Sequence, residues 1–429
     1  MGKPYTTYRA GSGEPVSVPL HGGAGGGAQP PRDRRPTQRL PRRPRRRGQR
    51  TLYVLLAVVA LAGALAGLAV AGVLPGIGRG EAAADGTRVR QVTHTPPPSP
   101  SETPTPTPKP TATSVTIVAG GDVIGDRSIR TIIGNQGGDA VFKGIAGILK
   151  RADLALVNLE TPLTGGGDPQ YWKDVVFKGD PRLAKAMADS GIDVVTMANN
   201  HAGDQGDSGL MDSIRHVRKA GLKVCGAGED LAAARLPRFF TVDGVRVAFL
   251  GFTDVLPVGF PATSSSPGTS PGRSDVGAVK EAVRKAATKA DYVVVAWHWN
   301  YEFTTGPSYL ESSEGKAVID AGADLVIGHH PHVLQGVQAY HGGFIAWSTG
   351  NLVFDHQSGS CAQTMLVRAE LSAKRIEVDL IPVTIAYDGR PKRTYGGAAT
   401  ILARVKAYST NLGTKVTIKD DLGHVLVKR

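Results

Sequence analysis

From Val115 onward the chain alternates short apolar runs with stretches of helical periodicity, and this alternation constrains the fold more than any other feature. Strand candidates cover residues 115–120, 154–159, 192–198, 222–227, 245–252, 292–297, 324–328, 343–348 and the run 364–384. Helical patterns cover residues 139–152, 181–191, 208–221, 275–290 and 310–322. Strands that alternate with helices predict an α/β layered domain with mostly parallel pairing.

Turn signals in the second half of the chain add antiparallel pairs to this domain. The segments TVDGVRV (241–247) and AYHGGFI (339–345) are typical of hairpins, so we expect a mixed sheet. The last 34 residues predict an amphipathic helix followed by a small hairpin that supports the sheet edge. No boundary within 115–385 divides the predicted domain.

The first 50 residues hold most of the positive charge. The chain has a formal net charge of +13, and residues 1–50 contribute a net +10, from 12 Lys or Arg against Glu14 and Asp33. Because this segment is rich in Gly and Pro and has few apolar residues, it predicts a disordered basic tail, open to anionic lipid or a partner.

An uncharged apolar run, LYVLLAVVALAGALAGLAVAGVL, fills residues 52–74 and is long enough to cross about 30 Å of hydrocarbon as a helix. We expect a transmembrane helix over 51–74; a cleaved signal peptide is the alternative, although its apolar run is normally about 7–15 residues. The Arg cluster before the run predicts a single-pass protein of the cell membrane, with a cytoplasmic N-terminus and an extracytoplasmic C-terminal domain. The Pro/Thr/Ser-rich residues 75–114 predict an extended linker or stalk.

Polar side chains recur at the ends of the predicted strands. They are Asp122, Glu160, Asn199, Asn200, His201, His298, His329, His330 and His332. In an open α/β sheet the carboxyl ends of the strands share one edge, where ligands bind. Carboxylates, amides and imidazoles without a thiolate favour a hard or borderline divalent metal.

Each of these residues also has a structural explanation. Asp122 is compatible with a turn, Glu160 with an ion pair to an Arg, and the Asn199–Asn200 pair with a left-handed bend. His298 lies between two tryptophans and is compatible with simple packing. The HHPH cluster is the hardest to explain structurally, because three imidazoles within four residues repel one another when protonated.

Six segments in this order carry a family resemblance: GGDVIGDR, VNLETPLT, MANNHAGDQG, AWHWNYEF, VIGHHPHVLQGV and STGNLVFD. They resemble the CapA family, named for bacterial poly-gamma-glutamate capsule synthesis, which is similar in turn to the calcineurin-like metallophosphoesterases. The resemblance covers about residues 115–429. It implies a four-layer α/β/β/α sandwich with a mixed sheet, a metal centre, an extracytoplasmic location and a role in polyglutamate capsule or cell-envelope polymers.

The resemblance also implies roles for single residues. The implied metal ligands are Asp122, Glu160, Asn200, His298, His332 and His329, with His330 as the alternative to His329. His201 resembles the histidine that protonates the leaving oxygen in metallophosphoesterases, and Asp204 would orient it. Divalent Mn, Zn, Fe and Mg are not distinguished.

Two departures from the pattern limit this transfer. The phosphoesterase Asp-x-His motif is absent, because Val123 and Ile124 follow Asp122, so one or two metals remain possible. The usual His-Trp-Gly-x-Glu is HWNYE here, with Asn300 in place of Gly and Glu302 retained.

Three residues are candidates for substrate contacts. Lys178, in the loop WKDVVFKGDP, could meet a phosphate or an anionic polymer, and a solvated loop lysine is the alternative. Glu302 and Asn351 are the other two.

Two functions fit the sequence: a membrane-anchored metal-dependent hydrolase of phosphoesterase type, or a non-catalytic accessory subunit of a polyglutamate synthase or exporter that binds polymer. A nucleic-acid partner is not expected, because the basic tail and the domain lie on opposite sides of the predicted membrane span. No nucleotide-binding P-loop is present in the sequence, so an ATP-dependent ligase step would belong to a partner. Cys225 and Cys361 lie in unlike contexts, and we expect no structural disulfide between them.

Overall fold

The structure, a computed structural model, describes residues 114–429. The basic tail, the transmembrane helix and almost all of the linker that the sequence predicts lie outside these residues. Across 114–429, none of the helices combines the length and the apolar character that a membrane span needs.

Eighteen strands occur in the described residues. They are β1 Val115–Val123, β2 Leu154–Leu159, β3 Val194–Thr196, β4 Lys223–Cys225, β5 Ala227–Gly228, β6 Arg238–Val242, β7 Val245–Thr253, β8 Gly268–Thr269, β9 Tyr292–His298, β10 Leu325–His329, β11 Val337–Tyr340, β12 Gly343–Ala346, β13 Asn351–Val353, β14 Gln363–Leu371, β15 Arg375–Ile385, β16 Pro391–Arg393, β17 Thr417–Lys419 and β18 Leu422–Lys428.

The α-helices of residues 114–429 are α1 Arg127–Gln136, α2 Asp139–Phe142, α3 Ala146–Leu149, α4 Arg182–Asp189, α5 Gly206–Lys219, α6 Leu231–Arg235, α7 Val276–Ala287, α8 Tyr309–Asp320 and α9 Ala398–Asn411. Short 3₁₀ helices cover Arg273–Asp275 and Gly359–Ala362.

Two mixed sheets form the centre of the fold. The ten-stranded sheet has the order β17-β18-β15-β14-β1-β2-β3-β4, with β13 beside β1 and β16 beside β15, and the six-stranded sheet has the order β11-β12-β10-β9-β7-β6. Pairing is parallel across β1-β2-β3-β4 and across β7-β9-β10-β12, and antiparallel toward the outer strands. The expected mixed sheet is therefore confirmed. The strands that carry the site pair in parallel, and antiparallel hairpins lie at three of the four sheet edges; at the fourth, β4 is parallel to β3.

Three hydrophobic cores separate four layers. One lies between the ten-stranded sheet and helices α1–α5, a second between the two sheets, and a third between the six-stranded sheet and helices α7 and α8. Consecutive residues of one strand enter different cores: Val118 faces the helices, whereas Ile117 and Ala119 face the other sheet. Because both faces of the central strands are buried, they read as continuous apolar runs.

The strands and helices agree with most of the predicted segments. Both predicted hairpins form, as β6–β7 and β11–β12, and the C-terminal tail gives α9 and the β17–β18 hairpin at the sheet edge. The segment 139–152 is divided into α2 and α3. At Gly144 between them, a Cβ would lie 2.4 Å from the Pro391 carbonyl oxygen, and the backbone of Gly144 forms a bridge with Lys392. Helix α1 was not predicted.

A close approach of two strands fixes the end of β1. The backbone N–H of Asp122 donates to the carbonyl of Gly350 at 3.1 Å. A Cβ at Gly121 would lie 1.8 Å from that same oxygen, so only glycine permits β13 to lie this close to β1. The residue before Asp122 is therefore glycine for a packing reason, and the backbone of Asp122 is paired with a strand on each side.

Candidate metal centre

The predicted site residues meet where the parallel strands of the two sheets end. Asp122 and His298 lie in the last two residues of β1 and β9, Glu160 follows β2 directly, and Asn200 follows β3 by four residues. His329 ends β10, with His330 and His332 just beyond it. All of these side chains are buried except Asn200, which is half-buried. Residues far apart in sequence thus share one edge of the fold.

The alternative explanations for these residues do not match the structure. Asp122 lies within a strand, not in a turn. Within residues 114–429, Glu160 makes no ion pair with an Arg, and neither Asn199 nor Asn200 has a positive φ. His298 is not part of the tryptophan packing: Trp297 and Trp299 enter the core on the helix side of the sheet, whereas His298 contacts Glu160.

Two groups of side chains offer ligand atoms within 4.8 Å of one another and could hold a metal ion. One consists of Glu160, His298 and His330, and the other of Asp122, Glu160 and His332. Glu160 belongs to both groups, so its carboxylate lies between two sets of donors. Carboxylate oxygens and imidazole nitrogens in this combination suit a divalent ion.

The Glu160 carboxylate shows that the residues present fit such an ion. It is fully buried, and neither oxygen accepts a hydrogen bond from the described residues. The Nε2 atom of His298 lies 3.5 Å from its Oε1. A buried carboxylate without hydrogen bonds is costly unless a cation compensates it.

Burial and neighbouring charges shift the pKa values of the two carboxylates in opposite directions. Burial raises the pKa of Glu160 well above its usual value, and the negative charge of Asp122 adds to the rise. Burial also acts to raise the pKa of Asp122, but the neighbouring imidazoles of His329 and His332 hold it well below its usual value. Burial lowers the pKa of His332, yet the charges of Glu160 and Asp122 raise it to about 10.

Two imidazoles of the site are neutral at pH 7. Burial and the neighbouring His330 ring lower the pKa of His298 well below its usual value. Burial and the charge of His332 lower the pKa of His330 to about 3. A neutral imidazole keeps one nitrogen lone pair, which is the form that binds a metal ion.

Within the HHPH segment the geometry favours the alternative ligand. His330 belongs to a metal-capable group and the preferred His329 does not, although Nδ1 of His329 lies 3.4 Å from the Asp122 carboxylate. Both ring nitrogens of His329 are buried without a hydrogen bond. His330 and His332 have positive backbone φ angles of 94° and 57°, which residues other than glycine rarely adopt. Such backbone strain is concentrated at functional sites.

His201 and Asp204 lie together beside these residues. Nδ1 of His201 is 2.7 Å from Oδ2 of Asp204, and the backbone N–H of Phe177 donates to the same oxygen at 2.7 Å. Burial lowers the pKa of His201 although the Asp204 charge opposes the shift, so the ring is neutral at pH 7. If Nδ1 carries the proton toward Asp204, Nε2 is left free to exchange one.

Lys173 completes this pair and was missed in the sequence. Its ammonium contacts Oδ1 of Asp204, donates to the Asn200 carbonyl at 2.5 Å and lies 3.3 Å from Nδ1 of His201. Its side chain is only 11% exposed. The only signal in the sequence was its place in the loop where Lys178 was chosen, five residues later.

A set of buried amides holds the ligands in place. Asn158 donates from Nδ2 to Oδ1 of Asp122 at 2.8 Å, and Asn199 donates to Oδ1 of Asn158 at 2.9 Å. Asn351, predicted to contact substrate, lies instead with Oδ1 at 2.8 Å from Nδ1 of His332. Asn158 was not among the predicted site residues, although it directly precedes the Leu159–Glu160 pair.

The two remaining candidates lie at the surface around the site. Lys178 is half-buried; its backbone N–H donates to Asp126 at 2.8 Å, and its ammonium makes no ion pair within residues 114–429. Glu302 is exposed, and its charge contributes, after burial and Asp122, to the raised pKa of Glu160. Cys225 is buried between the sheets, and neither it nor the half-buried Cys361 is in a disulfide.

Fold and site together define a two-sheet α/β protein with side chains that could hold a divalent metal at the ends of its parallel strands. Residues 116–356, which include every predicted site residue, match the family described as bacterial capsule synthesis protein PGA_cap. The chain belongs to this family.

Relatives of known name agree with this assignment. The chain is 34% identical over 284 residues to the capsule biosynthesis protein CapA of Bacillus anthracis, covering 65% of this chain and 69% of that protein. It is 33% identical over 268 residues to the PGA biosynthesis protein CapA of Bacillus subtilis, covering 61% of this chain and 70% of that protein. Among solved structures, a dimetal phosphatase from Danio rerio matches with a TM-score of 0.30 and 10% identity, over 52% of this chain and 93% of that one.

Proposed function

We propose that this protein is a membrane-anchored, metal-dependent hydrolase of phosphoesterase type that acts on polyglutamate capsule or another cell-envelope polymer. The observation that carries the proposal is the Glu160 carboxylate, buried without a hydrogen bond between two sets of donors, beside a histidine–aspartate pair. A structural site alone would not require His201 and Asp204 next to the ligands.

Each part of the site has a distinct task in this proposal. Glu160, His298 and His330, with Asp122 and His332, would hold one or two divalent ions such as Mn²⁺, Zn²⁺, Fe²⁺ or Mg²⁺. When bound, such an ion supplies a Lewis acid for the phosphoryl group and favours ionisation of water.

Proton transfer is the task of the chain's own residues. Asp204 would hold the Nδ1 proton of His201, so that Nε2 delivers a proton to the oxygen of the leaving group. Lys173 would hold Asp204 in position, because its ammonium contacts Oδ1 of this buried carboxylate.

Location is a further part of the proposal. The apolar run 52–74 and the Arg-rich segment before it support a single membrane span with the C-terminal domain outside the cytoplasm. The enzyme would then meet polymer after export, and Lys178 would lie at the surface near the site as a contact for an anionic chain.

The test uses the full-length protein in detergent, stripped with a chelator and reloaded with Mn²⁺ or Zn²⁺. We expect hydrolysis of bis(p-nitrophenyl) phosphate only in the reloaded protein. His201→Ala should remove this activity while the bound metal, measured by mass spectrometry, is unchanged; His216→Ala, on the surface of α5, is the matched control. Turnover without metal, or full activity in His201→Ala, would contradict the proposal.

A second function, a non-catalytic accessory subunit of a polyglutamate synthase or exporter, is supported by a different observation. Eight of the 13 exposed large apolar side chains of residues 114–429 lie in three segments that follow strands ending at the site. They are Tyr171, Trp172, Val175, Val258, Tyr301, Phe303, Tyr309 and Leu310. Where such side chains form a contiguous surface patch, they are typical of protein interaction sites.

Capsule assays separate the two functions. If the protein is only an accessory subunit, a strain with Asp122→Ala should make polymer normally while a deletion strain makes none. Tyr301→Ser with Phe303→Ser should then abolish polymer without changing the metal content. Loss of polymer in the Asp122→Ala strain would contradict a purely non-catalytic role for this protein.

A further inference from the structure

The amide of Asn199 joins two parts of the site that the proposed reaction uses separately. Its Nδ2 donates to Oδ1 of Asn158 at 2.9 Å and to the carbonyl of Leu159 at 2.8 Å. Its Oδ1 accepts the backbone N–H of His201 at 3.1 Å. Asn199 is fully buried, so these bonds are shielded from water. The side chain therefore ties the end of β2 to the residue that transfers the proton in the proposed reaction.

Asn158 extends this connection to the predicted metal ligands. Its Nδ2 donates to Oδ1 of Asp122 at 2.8 Å and lies 3.3 Å from Nδ1 of His298. Asp122 lies at the end of β1 in the ten-stranded sheet, and His298 ends β9 in the six-stranded sheet. One buried side chain thus contacts predicted ligands from both sheets and, through Asn199, is connected to His201.

The partners fix the orientation of both amides. A carboxylate accepts hydrogen bonds, so the NH₂ group of Asn158 faces Asp122 and its oxygen faces Asn199. The carbonyl of Leu159 also accepts, so the NH₂ group of Asn199 faces β2 and its oxygen faces the His201 N–H. A flip of either amide would break bonds at both of its ends. Buried bonds in such a chain reinforce one another and hold a single arrangement.

A local turn does not account for all of these bonds. The bond from the His201 N–H to the side chain two residues earlier is one that asparagine makes in many turns, and serine can replace it there. The bonds to Asn158 and Leu159 instead connect residues 41 and 40 positions apart in the sequence. They join the loop after β3 to β2, and a turn does not require them.

We propose that Asn199 is a positioning residue that couples the placement of His201 to the occupancy of the metal ligands. When Asp122 and His298 are fixed by a bound ion, Asn158 is fixed with them, and Asn199 transmits this restraint to the backbone of His201. The role of His201 in proton transfer comes from the proposed function, and the inference rests on it to that extent. The coupling itself can be measured without turnover.

Hydrogen–deuterium exchange tests the coupling directly. The full-length protein in detergent is compared after chelator treatment and after loading with Mn²⁺, and electron-transfer fragmentation isolates the backbone amide of His201. We expect loading to slow its exchange about threefold or more in the wild type and to leave it unchanged in Asn199→Ser, which keeps a turn bond but loses the bonds to β2. Asn135→Ala, at an exposed position of α1, is the control and should respond as the wild type does.

Kinetics show whether the coupling serves the reaction. Asn199→Ser should lower kcat with bis(p-nitrophenyl) phosphate about tenfold and change KM less than about twofold, because a buried residue that acts through His201 does not alter substrate binding. The loss should be larger with diphenyl phosphate, whose more basic leaving group depends more on a proton donor. Equal losses with the two esters would indicate a merely structural role and contradict the positioning of His201.

The two measurements separate this inference from the proposed function. An unchanged exchange rate on loading of the wild type, or a full response in Asn199→Ser, would overturn the coupling even if the protein is an active hydrolase. Conversely, a response that Asn199→Ser abolishes would support the coupling even if no ester is hydrolysed. Full activity in Asn199→Ser would reduce Asn199 to a turn residue and also overturn the proposal.

Discussion

Nδ1 of His201 lies 2.7 Å from Oδ2 of Asp204, and this contact ties an imidazole beside the candidate metal ligands to a fully buried carboxylate. The other oxygen of Asp204 contacts the ammonium of Lys173. His201, Asp204 and Lys173 thus form one unit. The Asp204 carboxylate orients the His201 ring, and the Lys173 ammonium holds the carboxylate.

Lys173→Met should reduce both turnover and stability. This change leaves the buried Asp204 carboxylate without the ammonium that it contacts. Breaking a buried pair of this kind costs about 3–5 kcal/mol of folding stability. We expect kcat with bis(p-nitrophenyl) phosphate to fall about tenfold or more with KM little changed, because Lys173 acts through His201. Lys178→Met is the control from the same loop. A change confined to KM would instead place Lys173 in substrate binding.

Glu160→Gln should have opposite effects with and without metal. Burial raises the pKa of Glu160 well above its usual value, so a neutral amide of the same shape should make the metal-free protein more stable. The same change removes the carboxylate that belongs to both donor groups and should weaken metal binding about tenfold or more. Thermal unfolding with chelator and with Mn²⁺ measures both effects. A destabilised metal-free variant would contradict the role assigned to this carboxylate.

His330→Ala and His329→Ala serve as controls for each other. His330 belongs to the group with Glu160 and His298, whereas His329 belongs to neither group. We therefore expect His330→Ala to weaken binding of Zn²⁺ more strongly than His329→Ala does, as measured by isothermal titration calorimetry. The reverse order would return His329 to the ligand set, as the sequence suggested.

Asp254 should make the protein less stable as pH rises toward 8. Burial and the charge of Glu314 raise its pKa to about 7, although Arg273 and the Trp297 N–H oppose the shift. The folded chain therefore binds this proton more tightly than the unfolded chain does. Stability from the protonated group is fully present at low pH and is lost as pH rises through about 7.

Asp254→Asn tests this pH dependence directly. The neutral amide should raise the unfolding temperature at pH 8 and flatten its change between pH 5 and pH 8. Arg273 keeps its contacts with Glu311 and Glu314, at 2.6 and 2.7 Å, so the fold should be retained. Asp421→Asn is the control at the surface. An unchanged pH profile would show that Asp254 is already ionised in the folded protein at pH 5.

Local patterns in the sequence were sufficient for most of the longer strands and for the edge at which the site forms, but not for the short strands β8, β13 and β16. Val115–Val123 and Tyr292–His298 read as buried strands because both of their faces enter a hydrophobic core, and each strand carries a buried polar residue, Asp122 or His298, in its last two positions. Helix α1 escaped prediction because its apolar residues, Ile129, Ile132 and Ile133, form too short a pattern to distinguish from a loop. Only the packed structure shows which face of the ten-stranded sheet this helix covers.

The sequence by itself determined the residue types of the site, since carboxylates, amides and imidazoles at strand ends leave few other chemistries. Only the tertiary structure decided which atoms meet. It joined His330 to Glu160 and His298, assigned Asn351 to His332 and brought Lys173 to Asp204, none of which spacing along the chain could show. The physical reason is that strand order is set by the burial of two sheets against each other, and strand order determines which strand ends are neighbours.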